Sequence, residues 1–202
     1  YQPFFNRSVL PLAAQTRDHR FAGYFSWVVP QQPQSNIYQF VYTQSPDIYF
    51  GELTLHGSEA ILKAELKLNW GKGEDEPFIS GEKGGNIDAH YSPQNHFVAY
   101  ASGLTGQVDV YIKPLSKNLL DAGVRATENE ALDLAPRWSP DGKHLVYSSD
   151  LTGNMDIFLL RDVLTPDGKR LNPGSKRVRL TSSERVDEAS PTWSPDGELI
   201  AF

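Results

Sequence analysis

From about position 96 onward, apolar residues fall into short runs cut by turn-forming residues, a spacing that predicts strands and leaves no room for a long helix. His96-Phe-Val-Ala-Tyr100, Lys143-His-Leu-Val-Tyr147 and Glu198-Leu-Ile-Ala-Phe202 are three such runs, each closed by an aromatic residue. Val108-Asp-Val-Tyr-Ile112 and Met155-Asp-Ile-Phe-Leu159 are two more. Across 62–70 every even position is apolar and every odd one polar, so a strand is predicted there although the residues are good helix formers. Upstream, 21–29 reads as one strand, followed by a Pro/Gln-rich connector at 30–34.

The runs repeat. Ala89-His-Tyr-Ser-Pro-Gln-Asn95, Pro136-Arg-Trp-Ser-Pro-Asp-Gly142 and Pro191-Thr-Trp-Ser-Pro-Asp-Gly197 align, with serines 47 and 55 residues apart. In Ser-Pro-Asp-Gly, Pro presets the first central turn position, Asp suits the second and Gly takes the positive-φ exit. Asn95, which tolerates that conformation, replaces Gly142 in the earlier copy. The aromatic before each turn, Tyr91, Trp138 or Trp193, is the expected buried anchor of a first strand. The run after the turn is a second strand, a Leu-Thr-Gly loop leads to the third, and 124–127 or 178–181 supplies the fourth. Eight extra residues in the longer interval fall in the turn-rich stretch 165–175, between third and fourth strands.

Four-stranded antiparallel units of this length are the blades of a β-propeller, so the fold class is all-β. The predicted organisation is an N-terminal segment over 1–36, then blades at 37–81 (degenerate), 86–127, 133–181 and 187–202 (partial). In the degenerate unit, Ser45-Pro46-Asp47 lies one period before the first clear turn and makes 62–70 a third strand. A second register matches Asp47-Ile-Tyr-Phe50 to Asp156-Ile-Phe-Leu159 instead, and both stay open. Three and a half blades do not close a ring, because propellers use about four to eight. The propeller is therefore expected to be incomplete over these residues and to continue beyond Phe202.

Composition narrows the function. The 202 residues include no Cys, which removes disulfides, thiolate zinc sites and a cysteine nucleophile. A formal net charge of −6 gives no attraction to nucleic acid or to an anionic membrane. No apolar run approaches the roughly 18 residues of a membrane-spanning helix.

Catalytic motifs are missing. There is no Gly-x-Ser-x-Gly elbow, and no helix is predicted after Ser58 or Ser102. His19, His56, His90, His96 and His144 form no zinc-ligand spacing, so neither a metal nor a cofactor is assigned. His90 and His96 straddle a turn and are read as a surface or cross-strand pair. The charged glycine loop 71–76 matches no phosphate-binding fingerprint. Asp109 and Asp156, each just inside a third strand, are expected to be structural hydrogen-bond acceptors. One column carries possible chemistry: Asn86 and Asp88, then Asp133, then Asp187 and Glu188, all in the loops entering successive first strands. Such loops gather at one mouth of a propeller channel, where the side chains could receive a basic partner segment or a cation. Capping of their own turns is the alternative, since Asp and Asn are common turn formers.

Trp138-Ser-Pro-Asp-Gly142 and Trp193-Ser-Pro-Asp-Gly197, each with its following aliphatic–aromatic strand, and Gly153-Asn-Met-Asp-Ile-Phe158 together resemble the TolB-type propeller repeat family. The resemblance covers 86–202 well, 37–81 weakly and 1–36 not at all. It implies a non-enzymatic scaffold that binds protein partners in the bacterial periplasm or another extracytoplasmic compartment. An alternative implication is the substrate-gating propeller of a prolyl-oligopeptidase-like or tricorn-like serine peptidase, with the catalytic domain outside this chain. Fold-level likeness fixes architecture better than role.

Overall fold

The computed structural model describes residues 25–27, 37–44, 47–58, 61–68, 79, 85–92, 97–114, 123–165, 171–172 and 174–202. Every regular element among them is a strand. The first sheet holds β1 (Phe25–Trp27), β2 (Ile37–Gln44), β3 (Asp47–Ser58) and β4 (Ile61–Leu68). The second holds β5 (Asn86–Tyr91), β6 (Phe97–Ser102), β7 (Asp109–Pro114) and β8 (Val124–Arg125). The third holds β9 (Asp133–Trp138), β10 (Leu145–Ser149), β11 (Asp156–Arg161) and β12 (Lys176–Arg179). β13 (Thr192–Trp193) pairs with β14 (Ile200–Ala201) in a fourth. All pairings join consecutive strands and are antiparallel, as short turns require.

The Ser-Pro-Asp-Gly turns explain the first hairpins of the third and fourth sheets. Ser139 Oγ donates to Asp141 Oδ1 at 2.6 Å and accepts the His144 N–H at 2.9 Å. Asp141 Oδ1 also accepts the Lys143 N–H at 3.1 Å, and Gly142 turns the chain at φ +68°. Ser194, Asp196, Glu198 and Leu199 repeat the same bonds around Gly197. The Asn95 turn and the 71–76 loop lie outside the described residues.

Each sheet stacks on the next through its first strand: β5 packs on β9, and β9 on β13. First strands are therefore innermost and fourth strands outermost. The core follows from that stacking. Phe97, Ala99, Val110 and Ile112 of the second sheet join Trp138, Leu145, Tyr147, Phe158 and Leu160 of the third in one buried cluster. Tyr91, Val98, Tyr100 and Tyr111 point the other way, onto Val41, Ile48 and Ile79. Alternate residues of β6 and β7 thus serve two interfaces, which is why both strands read as continuous apolar runs.

Tyr91 and Trp138 are buried anchors, 1% and 3% exposed. Trp193 corrects that expectation by being only half-buried. Its sheet has two strands among the described residues, so less of the chain covers the ring.

The first sheet settles the open register. The described part of the 62–70 run, 62–68, is extended as its alternation predicts, but Ile61–Leu68 is the fourth strand in the order and not the third. Asp47–Ser58 takes third place, and Ile48 exchanges both backbone hydrogen bonds with Ile79 at 3.0 Å. Val110 and Ile157 accept from Ala126 and Leu180 in the same way, so Asp47, Asp109 and Asp156 are equivalent positions. Ser45-Pro46 consequently joins second and third strands, not first and second. The first strand is Phe25–Trp27, drawn from the 21–29 run.

The longer third-to-fourth connection lies where the repeat interval places it. Leu164 bridges Leu171, and the Asn172 side chain donates to Asp162 O at 2.9 Å within the turn-rich stretch.

Candidate functional site

The antiparallel order puts the second-to-third loops (103–108 and 150–155) at the same end of the sheets as the loops entering the first strands (126–132 and 180–191). Backbone bonds stitch them together. Gly103 N donates to Gly85 O at 3.3 Å, Asp133 N to Val108 O at 2.8 Å, and Glu188 N to Met155 O at 2.8 Å.

Those bonds place the proposed column. Asn86 pairs with Ser102 and Asp133 with Ser149, so Asn86 and Asp133 are equivalent. Glu188, through Met155, is the third member. Asn86 and Asp133 are buried, whereas Glu188 is half-buried. Asp133 accepts the Asn129 side-chain amide at 2.8 Å through Oδ2, while its Oδ1 is buried without a hydrogen-bond partner. Glu188 Oε2 is likewise buried and unpartnered. Asp187 stands one residue earlier, exposed, and accepts the Met155 N–H at 3.0 Å.

Asp88 belongs to a second column that composition did not reveal. Asp88, Ala135 and Ser190 all have positive φ, +56°, +50° and +57°. In the second and third sheets the residue after each completes a β-bulge: Asp88 and Ala89 oppose Tyr100, and Ala135 and Pro136 oppose Tyr147. The intervals match those of the turn serines, but Asp, Ala and Ser share no chemistry that would mark the bulge in sequence. The strained conformation is held because the flanking strand bonds fix it.

Asp109 and Asp156 are fully buried acceptors at the start of the third strands. Asp109 receives Arg125 at 2.6 Å, Thr105 at 3.4 Å and Thr127 at 3.4 Å. Asp156 receives Arg179 at 2.6 Å, Thr181 at 3.4 Å and Thr152. The hydroxyls of Thr127 and Thr181 accept Val110 N–H at 3.0 Å and Ile157 N–H at 2.8 Å, tying the fourth strand to the third. The recurrence of Arg125-Ala-Thr127 as Arg179-Leu-Thr181 was the available sequence signal for this network.

Two imidazoles serve the backbone. His90 Nδ1 accepts the Trp138 N–H at 3.1 Å across the interface between sheets, and burial together with Arg137 pushes its pKa down to about 3. Its cross-strand partner is Ala99, and His96 lies outside the described residues. His144 Nδ1 accepts the Asp162 N–H at 3.1 Å. Among the described residues no group of three metal-ligating side chains occurs, and no helix is long and apolar enough to cross a membrane.

No protein-family model matches the sequence. No curated protein matches it either. Solved structures do. A provisionally named TolB from Agrobacterium tumefaciens superposes with TM-score 0.52 at 16% identity, covering 88% of this chain and 69% of that one. The fold is that of a TolB-type propeller. TolB from Acinetobacter baumannii gives TM-score 0.52 at 18% identity over 95% of this chain, which spans about half, 49%, of that structure. The stacked four-stranded sheets of this TolB-type propeller, innermost strand first, are the architecture that the repeats imply.

Proposed function

We propose that the chain is a non-enzymatic, TolB-like scaffold of the bacterial envelope, acting outside the cytoplasm by binding protein partners through the loops at the first-strand end of its blades. The observation that carries this reading is the likeness of fold to two TolB structures over most of the chain. At this identity that likeness supports a role by analogy. The column Asn86, Asp88, Asp133, Asp187 and Glu188 borders those loops, and we assign its accessible members Asp88, Asp187 and Glu188 to partner binding, with Asn86 and Asp133 buried behind them.

The local chemistry supports a role without turnover. Ser102, Ser139, Ser148 and Ser194 hydroxyls bond backbone amides, and the His90 and His144 Nδ1 atoms accept backbone N–H groups. None of these hydroxyls is hydrogen-bonded to an imidazole base, as an activated nucleophile requires. No cofactor is called for.

Site-specific photo-crosslinking in a bacterial envelope extract tests the proposal. A photoreactive residue at Asp187 should give discrete protein adducts, and one at Lys176 on the outermost strand should not. Equal labelling from both positions, or hydrolysis of peptide substrates by the rigorously purified chain, would overturn it.

A further inference from the structure

The loops at the first-strand end carry an unusual combination of exposed apolar and acidic side chains. Leu104 and Leu151, at equivalent places in the two Leu-Thr-Gly loops, are 49% and 41% exposed, and Val186 is 59% exposed. Ile87 and Leu132 add to them. The loops adjoin one another: Leu132 N donates to Asp150 Oδ1 at 2.7 Å beside Leu151, and Asn154 Nδ2 donates to Val186 O at 3.1 Å. Gly103, next to Leu104, is bonded to Gly85 beside the strand of Ile87. Exposed apolar residues scattered singly need no explanation, but a connected row across three blades does.

Charge identifies what fits that row. The same loops hold Glu128, Glu130, Asp150, Glu184, Asp187 and Glu188 against the single Arg185. The described part of the opposite end mixes Asp141, Asp162, Asp196 and Glu198 with Lys143 and Arg161. Among the described residues the first-strand end is thus the more acidic of the two, with six carboxylates to one guanidinium. A second copy of the chain presenting the same face would be repelled, and so would an anionic lipid surface. A polypeptide segment carrying Lys or Arg among Leu, Phe or Trp is complementary in both respects.

We propose that this face is the docking surface for a basic, apolar protein segment, with Leu104, Leu151 and Val186 as apolar contacts and Glu128, Glu130 and Glu184 as the charge that selects it. The proposal rests on the scaffold reading above and adds the partner's chemistry. Because the acidic groups are exposed, they govern the rate of encounter and its salt dependence more than the strength of the final complex.

Random linear peptides displayed on phage and selected on the immobilised full chain test this. The enriched peptides should combine basic with apolar residues. Their binding should weaken about tenfold, equivalent to about 1.4 kcal/mol, in the double variant Leu104→Ser, Leu151→Ser. The triple variant Glu128→Gln, Glu130→Gln, Glu184→Gln removes charge without touching the core and should weaken binding similarly, with loss of the salt dependence. Lys143→Gln with Asp162→Asn, at the other end, should change nothing. Enriched peptides without basic residues would overturn the proposal. Peptides whose binding ignores the loop variants but responds to the opposite-end pair would overturn it while leaving the scaffold reading in place. Failure to enrich any peptide would count against both.

Discussion

His90 Nδ1 accepts the backbone N–H of Trp138 at 3.1 Å, so an imidazole of one blade holds the first strand of the next. Only the neutral ring can accept that bond. Burial, and then Arg137, depress the folded-state pKa from 6.5 to about 3. The unfolded chain therefore binds the proton more readily, and stability is lost as pH falls from about 6.5 toward about 3. The expected contribution is about 1.4 kcal/mol per pH unit in that window, measured by urea unfolding. His90→Asn keeps an acceptor and cannot be protonated there, so it should flatten this part of the profile. An unchanged slope would show that other groups cause it.

Trp138→Ala is expected to cost about 3–5 kcal/mol, since the ring is buried between two sheets. Trp193→Ala should cost about 1 kcal/mol, because its ring is only partly covered and its main polar contact is the 3.1 Å bond from Nε1 to Arg137 O. Equal losses on denaturant unfolding would contradict the unequal burial of the two anchors.

Gly123 leaves room for the Tyr100 hydroxyl: a Cβ there would lie 2.2 Å from Tyr100 Oη and 3.2 Å from Cζ. Tyr100 is buried and stacked on Tyr111 with ring centroids 5.8 Å apart, and burial raises its phenol pKa. The ring has little freedom to move aside. Gly123→Ala should destabilise by about 1–3 kcal/mol, and Tyr100→Phe in the same chain should recover part of that loss.

Asp156 and Arg179 should be strongly coupled, as should Asp109 and Arg125. Each arginine is partly exposed over a fully buried carboxylate, so a double-mutant cycle at either pair is expected to give about 1–3 kcal/mol. Asp156→Ala alone should cost about 3–5 kcal/mol, because it strips Arg179 and Thr181 of their common acceptor. Coupling in one blade and none in the other would argue against an equivalent network.

The sequence by itself determined the elements and the blade. Strand alternation and Ser-Pro-Asp-Gly turns act over a few residues, so their geometry is set by local sterics and hydrogen bonds, and 62–68 is extended as its pattern requires. Tertiary structure decided what depends on distant partners. It made 61–68 the outermost strand by pairing it with β3, singled out Glu188 of the adjacent Asp187 and Glu188 as the counterpart of Asn86 and Asp133, and turned His90 toward Trp138. It also left Trp193 half-covered while Trp138, followed by the same Ser-Pro-Asp-Gly turn, is buried. Pairing and burial are properties of two segments brought together, and the residues of one segment cannot specify them alone.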